Sequence, residues 1–129
     1  MVLDKKGLVL IEKRRKTKKG KDNSRLTWVF PGGTHQPNET RGERVRKEVL
    51  SETGYAVRVI KQISLRRHPQ LPVTITYHYC ELLKEKPVRK PAEPKEVAQI
   101  KWVKSKELKN YFTTHIDPKV AQFLNIKAF

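Results

Sequence analysis

Residues 33–55 read GTHQPNETRGERVRKEVLSETGY and follow directly on Trp28-Val29-Phe30-Pro31-Gly32. An apolar, aromatic run ends sharply at Pro31-Gly32-Gly33. A polar loop then reaches Glu39. Asn38 or Thr40 is suited to cap a helix that runs to about Thr53, where Gly54 stops it. Val45 and Val49 stand four apart on the buried face of that helix, with Leu50 beside them. Glu48 and Glu52 are also four apart, so they project from one side. Two like charges placed this way repel, and the adjoining Gly-Gly turn lets backbone approach a ligand closely. Together these features point to a cation between the carboxylates. Oxygen donors favour a hard ion, magnesium or manganese. Magnesium usually takes one or two carboxylates plus substrate phosphates, so a phosphate-bearing substrate is expected with it. The simpler reading is a solvated charged face, with Arg44 pairing to Glu48 for roughly 0.2–0.5 kcal/mol. For an isolated pair of glutamates that reading would prevail.

Outward from this segment, residues 7–11 read as a turn and a short buried strand. Residues 12–25 are polar and strongly basic, and Gly20 with Asp22-Asn23-Ser24 marks them as a loop. Residues 26–30 are predicted as a strand. Beyond the helix, residues 55–59 and 63–65 suggest two further strands. Residues 73–80 give the clearest one: Val73, Ile75, Tyr77 and Tyr79 face one way, Thr74, Thr76, His78 and Cys80 the other. Residues 84–95 are charged and hold Pro87, Pro91 and Pro94, which indicates a stiff exposed loop. Residues 100–103 are predicted as a strand, Ser105 as the cap of a short helical turn, and 118–124 as a final helix with Pro118 in its first turn. At the start, Met1-Val2-Leu3 leaves room only for a very short strand, unless the chain begins late. No internal repeat is visible. Strands on both sides of a central helix, with a second helix near the end, predict a single domain over residues 1–129: an α/β (α+β) sandwich with a mixed sheet flanked by helices.

Composition narrows the function classes. Twenty-nine Lys and Arg stand against 13 Asp and Glu, a formal net charge of +16. Such a field attracts polyanions, nucleotides and RNA among them, although a basic surface also serves solubility alone. Cys80 is the one cysteine, so no internal disulfide and no cysteine-based zinc site is expected, and a reducing, cytoplasmic location follows. No apolar run is long enough to span a bilayer, and no signal peptide pattern stands out. The Gly-x4-Gly-Lys of a P-loop is missing, as are helix-turn-helix and zinc-finger patterns.

The spacing in residues 33–55 closely resembles the Nudix box, Gly-x5-Glu-x7-Arg-Glu-apolar-x-Glu-Glu-x-Gly-apolar. Gly33 fills its first glycine, Glu39 its first glutamate, Glu48 the glutamate after the arginine and Val49 the apolar position. Glu52 fills the second of the paired glutamates, and Gly54-Tyr55 close the pattern. The Trp28 to Gly33 entry is similar to that of the family, as is Glu96-Val97-Ala98-Gln99-Ile100-Lys101-Trp102-Val103 downstream, followed by Ser105-Lys106-Glu107-Leu108. Two positions depart. Lys47 stands where arginine is usual, a point charge in place of a two-pronged donor. Ser51 stands at the first paired glutamate, usually a metal ligand, so weaker metal affinity or lost catalysis is expected.

The resemblance implies hydrolysis of a nucleoside diphosphate linked to another group, with magnesium or manganese as cofactor. It implies Glu48, Glu52 and Glu96 as catalytic and metal-binding residues, assisted by the backbone of Gly32 or Gly33. Glu48 or Glu96 would serve as base, and Glu39 would brace the loop through Lys47. Arg14, Arg25 and His35 are candidates for substrate phosphate or base. Against these stand plainer readings: a solvent-facing arginine at Arg14, packing roles for Tyr77, Tyr79, Trp28 and Trp102, and a small buried side chain at Cys80. The competing function is a weak or inactive module of the same fold that binds RNA or nucleotides through its basic surface.

Overall fold

A computed structural model describes residues 1–19, 25–32, 40–67, 74–92 and 96–129, with backbone alone for 16–19 and 25–26. In order these form β1 (Val2–Leu3), β2 (Val9–Lys19), β3 (Arg25–Val29), α1 (Arg41–Thr53), β4 (Val57–Arg67), β5 (Thr74–Leu82), β6 (Val97–Val103), a 3-10 turn (Ser105–Asn110) and α2 (Pro118–Leu124). The six strands make one sheet ordered β3-β2-β1-β5-β4, with β6 joined to β2. β1 runs parallel to β5, Val2 opposite Cys80, and antiparallel to β2, Leu3 opposite Val9. This very short strand therefore links the two halves of a mixed sheet. The remaining described pairs are antiparallel.

Alternation along β2 divides the core in two. Leu10 packs with Val45, Val49, Tyr55, Val57 and Cys80 on the α1 side. Ile11 packs with Val103, Leu108, Val120 and Ala121 on the α2 side. The helices thus cover opposite faces, as the period-2 geometry of a strand buried on both faces requires. The expected sandwich is the observed one. Tyr77 and Tyr79 serve in packing, the latter 5.1 Å from the ring of Phe123, and Cys80 is buried.

Three expectations need correction. Residues 12–25 are not simply a loop: β2 continues to Lys19 and β3 begins at Arg25. Pairing to β6 from Val9 to Arg14, and to β3 at Glu12, Lys13, Lys18 and Lys19, satisfies the backbone of this basic run, whose side chains at Lys13 and Arg15 reach solvent. Residues 55–65 hold one strand, β4, rather than two. Its register to β5 shifts between Val59 and Lys61 and again between Gln62 and Ser64, and each irregularity breaks the apolar alternation that marks a strand in sequence. The turn near residue 105 is capped at Lys104, whose N–H donates to the Glu107 carboxylate at 3.2 Å, not by Ser105.

The described part of the proline-rich segment, residues 84–92, is free of helix and strand, as expected, but it is also strapped to α1. The Val88 N–H donates to the Gly54 carbonyl at 2.9 Å and the Ala92 N–H to the Ser51 carbonyl at 2.7 Å. No helix among the described residues is long and apolar enough to cross a membrane.

Candidate metal and phosphate site

α1 begins and ends where its sequence indicates. The Thr40 hydroxyl accepts from the Glu43 N–H at 3.1 Å, and Gly54 adopts the left-handed conformation at φ 82°, its N–H donating to the Leu50 carbonyl. Val45 and Val49 press this helix onto the sheet. Glu48 and Glu52 ride on the same side, and both are sunk, at 9% and 5% exposure. The Pro31-Gly32 turn meets the helix here: the Gly32 N–H donates to Glu52 Oε2 at 3.1 Å. One turn back, Arg44 pairs with Glu48 Oε1 at 2.5 Å.

A further acid enters from the sheet. Glu12 lies on β2, two residues after Leu10 and so on the α1 side, opposite Val29 in β3 and Ile100 in β6. It is only 1% exposed. Its carboxyl meets that of Glu52. Burial raises the Glu52 pKa most, the Glu12 charge and a hydrogen bond with Glu12 add to it, and nearby Glu48 contributes; the Gly32 N–H opposes them. The result is a Glu52 carboxyl pushed up to about 9. Without a cation, one of these acids holds its proton at neutral pH.

The structure brings Glu48, Glu52 and Gly32 together, forms the Arg44–Glu48 pair of the plainer reading of this helix, and adds Glu12. Glu96 is exposed at the entry to β6, where its carbonyl accepts from the Arg15 N–H at 2.8 Å, and it is not among the charges that act on Glu52. Arg14 is half-buried on β2 opposite Val97, Lys47 is exposed on α1 and Ser51 is half-buried. Gly33, His35 and Glu39 lie outside the described residues, as does the side chain of Arg25. Glu12 escaped the reading of the sequence because the basic run hid its strand. Its signal was its parity with Leu10: a lone acid extending the apolar Leu8 to Ile11 run.

Among the described residues, no group of three or more acidic, histidine or cysteine side chains is placed to hold a metal ion. What the site offers is donor chemistry. Glu48 and Glu52 are buried oxygen donors on one side of α1, of the kind that suits a hard divalent cation, and the charges of Glu48 and Glu12 both act on Glu52. An ion there would offset the burial and the like charges that raise the Glu52 pKa.

The family model for the NUDIX domain matches residues 1–123. Solved structures of similar fold include a NUDIX hydrolase from Nitrosomonas europaea, with TM-score 0.69 and 18% identity, covering 96% of this chain and 68% of that one. The MutT protein from Methanosarcina mazei Go1 superposes with TM-score 0.64 and 21% identity, over 97% of this chain and 86% of that one. A UDP-X diphosphatase gives TM-score 0.55 and 17% identity, over 79% of this chain; the match spans 46% of that protein's length. At these identities the likeness is one of fold. No curated protein matches by sequence.

Proposed function

The chain belongs to the NUDIX family, and from this premise we propose that it hydrolyses the pyrophosphate bond of a nucleoside diphosphate linked to another group, with magnesium or manganese as cofactor. The observation that carries this reading is the burial of Glu48 and Glu52 on one side of α1, against the Gly32 turn. A pure binder of phosphate has no use for clustered carboxylates, which repel it. A bound divalent ion would neutralise charge on the bridging and leaving oxygens of the pyrophosphate.

The chain's own residues divide the remaining work. Glu48 and Glu52 hold the ion, with the carbonyl of Gly32 or Gly33 assisting. Glu48 also stands as a base able to orient or deprotonate the attacking water. Its bond to Arg44 restrains the carboxylate. Glu96 is the alternative base. Its exposed carboxylate would have to come in from the entry to β6. Glu39 with Lys47 braces the loop. Arg14, Arg25 and His35 are assigned to substrate phosphate or base, and the half-buried position of Arg14 beside β6 agrees with such a role.

A second reading has support of its own. Ser51 brings no charge to α1, and the +16 net charge suits RNA as a partner. On that reading the fold is a binding module with little or no turnover. Location in the cytoplasm agrees with a single, buried cysteine that calls for no oxidising compartment.

The test is turnover on a panel of nucleoside triphosphates, dinucleoside polyphosphates, nucleotide sugars, ADP-ribose and RNA 5′ ends. Each is run with magnesium and then manganese and read by phosphorus NMR. Nucleotide-linked diphosphates come first, since the UDP-X diphosphatase of similar fold is named for one. A nucleoside monophosphate product from one class establishes the hydrolase. Folded protein that turns over nothing while retaining RNA transfers the assignment to the binding module.

A further inference from the structure

Lys61, Gln62 and Ile63 are consecutive on β4, yet all three line one groove, together with Lys119, Gln122 and Phe123 of α2. A regular strand would send alternate side chains to opposite faces. Here the register to β5 shifts between Val59 and Lys61 and again between Gln62 and Ser64, and such irregularities re-aim side chains. β4 is also the last strand in the sheet order, so the re-aimed stretch lies at an edge. The groove has a volume of about 300 Å³ and lies on the α2 side, across the sheet from Glu48 and Glu52.

Its chemistry is mixed in a particular way. Lys61 and Lys119 are exposed, and among the described residues neither has a carboxylate partner. Other cations are engaged: Lys5 with Glu85, Arg58 with Glu81. The acid beside Lys119, Asp117, is occupied by its cap of α2, by Ser64 and by Arg66 at 3.4 Å. The Lys61 ammonium stands 5.3 Å from the centroid of the Phe123 ring, an attraction that keeps it at the groove. Gln62 and Gln122 each bring an amide that both donates and accepts. Ile63 and Phe123 are half-buried and supply an apolar wall. Cations, amides and an aromatic wall answer the phosphate, the edge and the face of an unpaired nucleotide. A second copy of the chain is a poor occupant, since it would bring the same positive charges to this edge.

We propose that the groove between β4 and α2 is a docking site for single-stranded nucleic acid. Lys61 and Lys119 hold backbone phosphates, and Gln62 and Gln122 meet the edge of a base that lies against Ile63 and Phe123. The assignment takes up the RNA-binding reading above and does not rest on the metal site. It separates the two activities in space, one on each face of the sheet, so that binding a strand and hydrolysing a nucleotide need not compete.

The test is fluorescence anisotropy of a short labelled single-stranded RNA, and of DNA of the same sequence, titrated at several salt concentrations. The proteins are wild type, Lys61→Gln/Lys119→Gln, Gln62→Ala/Gln122→Ala and, as a control of equal charge, Lys84→Gln/Lys86→Gln in the exposed proline-rich segment. Each phosphate contact on a single strand contributes about 0.7 to the slope of log affinity against log salt. Lys61→Gln/Lys119→Gln is therefore expected to bind more weakly than the control and to lower that slope by about 1.4. Gln62→Ala/Gln122→Ala is expected to weaken binding with the slope unchanged, because neutral amides release no counterions. Tighter binding of RNA than of DNA names RNA as the partner, and equal binding names single strands of either kind. Equal loss in the two lysine pairs overturns the groove and leaves the RNA-binding reading standing, since the whole field then does the attracting. Folded wild type that binds neither strand overturns both. A dimer in sedimentation that Leu65→Lys dissociates gives this edge to a second copy and overturns the proposal.

Discussion

His78 lies in the interior of the sheet at 6% exposure, and its Nδ1 has no hydrogen-bond partner among the described residues. Burial lowers its pKa, and the charges of the N-terminal amine and Arg41 lower it further. The folded protein therefore holds this ring neutral, while the unfolded chain titrates near 6.5. Because the unfolded state binds the proton first, the stability from His78 is whole above about pH 6.5 and falls as pH drops toward the folded value. Denaturation in urea at pH 7.5 and pH 5.5 should show a larger loss for wild type than for His78→Gln. An equal loss would place the pH dependence elsewhere. The same scale shows what can be read from single residues. Glu48 and Glu52 were legible because helical spacing puts them on one side and a glycine turn adjoins them. Glu12 was not, because its meaning depends on a strand that the surrounding lysines and arginines disguise.

Elements were legible where a local chemical signal sets their ends. Thr40 and Gly54 bound α1, and Pro118 opens α2, as their residue types indicate. Strand ends were less so, since ladder pairing and register shifts come from partners distant in sequence, as in β2 and β4. Two predictions test these ends. A Cβ added at Gly54 would fall 2.2 Å from the Arg89 carbonyl oxygen, on a backbone already at φ 82°. Gly54→Ala should therefore lose more than about 1 kcal/mol of stability in a urea titration. It should also speed hydrogen exchange at the Val88 amide, whose bond to Gly54 holds the strap. No change in either would mean that the strap adds nothing to the helix end. Asp117 serves both α2 and β4. Its Oδ1 accepts from the Lys119 and Val120 N–H groups at 2.8 and 3.2 Å, and its Oδ2 accepts from the buried Ser64 hydroxyl at 2.8 Å. Asp117→Ala removes the cap of α2 and strands that hydroxyl, at about 2 kcal/mol or more. Asp117→Asn keeps the Oδ1 acceptor that caps α2 and offers Nδ2 as a donor to the Ser64 hydroxyl, so it should recover most of the loss in the same titration.

The whole molecule adds a field to the site. A molecule with a net charge of +16 attracts anionic phosphate, which buried carboxylates alone would repel. That attraction is screened over about 10 Å at 0.1 M salt and about 3 Å at 1 M. Raising sodium chloride at constant magnesium should increase KM for an anionic substrate and leave kcat nearly unchanged; a fall in kcat alone would show that the field acts on the chemistry. Composition made this field plain, whereas the meeting of β2 with α1 needed the fold. In the proposed function, Glu48 and Glu52 hold the ion through which this NUDIX chain hydrolyses a nucleotide pyrophosphate. The most direct test is the rate of monophosphate release from the best substrate as magnesium is titrated into wild type and into Glu52→Gln. Saturable, magnesium-dependent turnover in wild type that is lost in Glu52→Gln, with its fold intact by circular dichroism, is the expected result. Equal turnover in the two proteins at every magnesium concentration would contradict it.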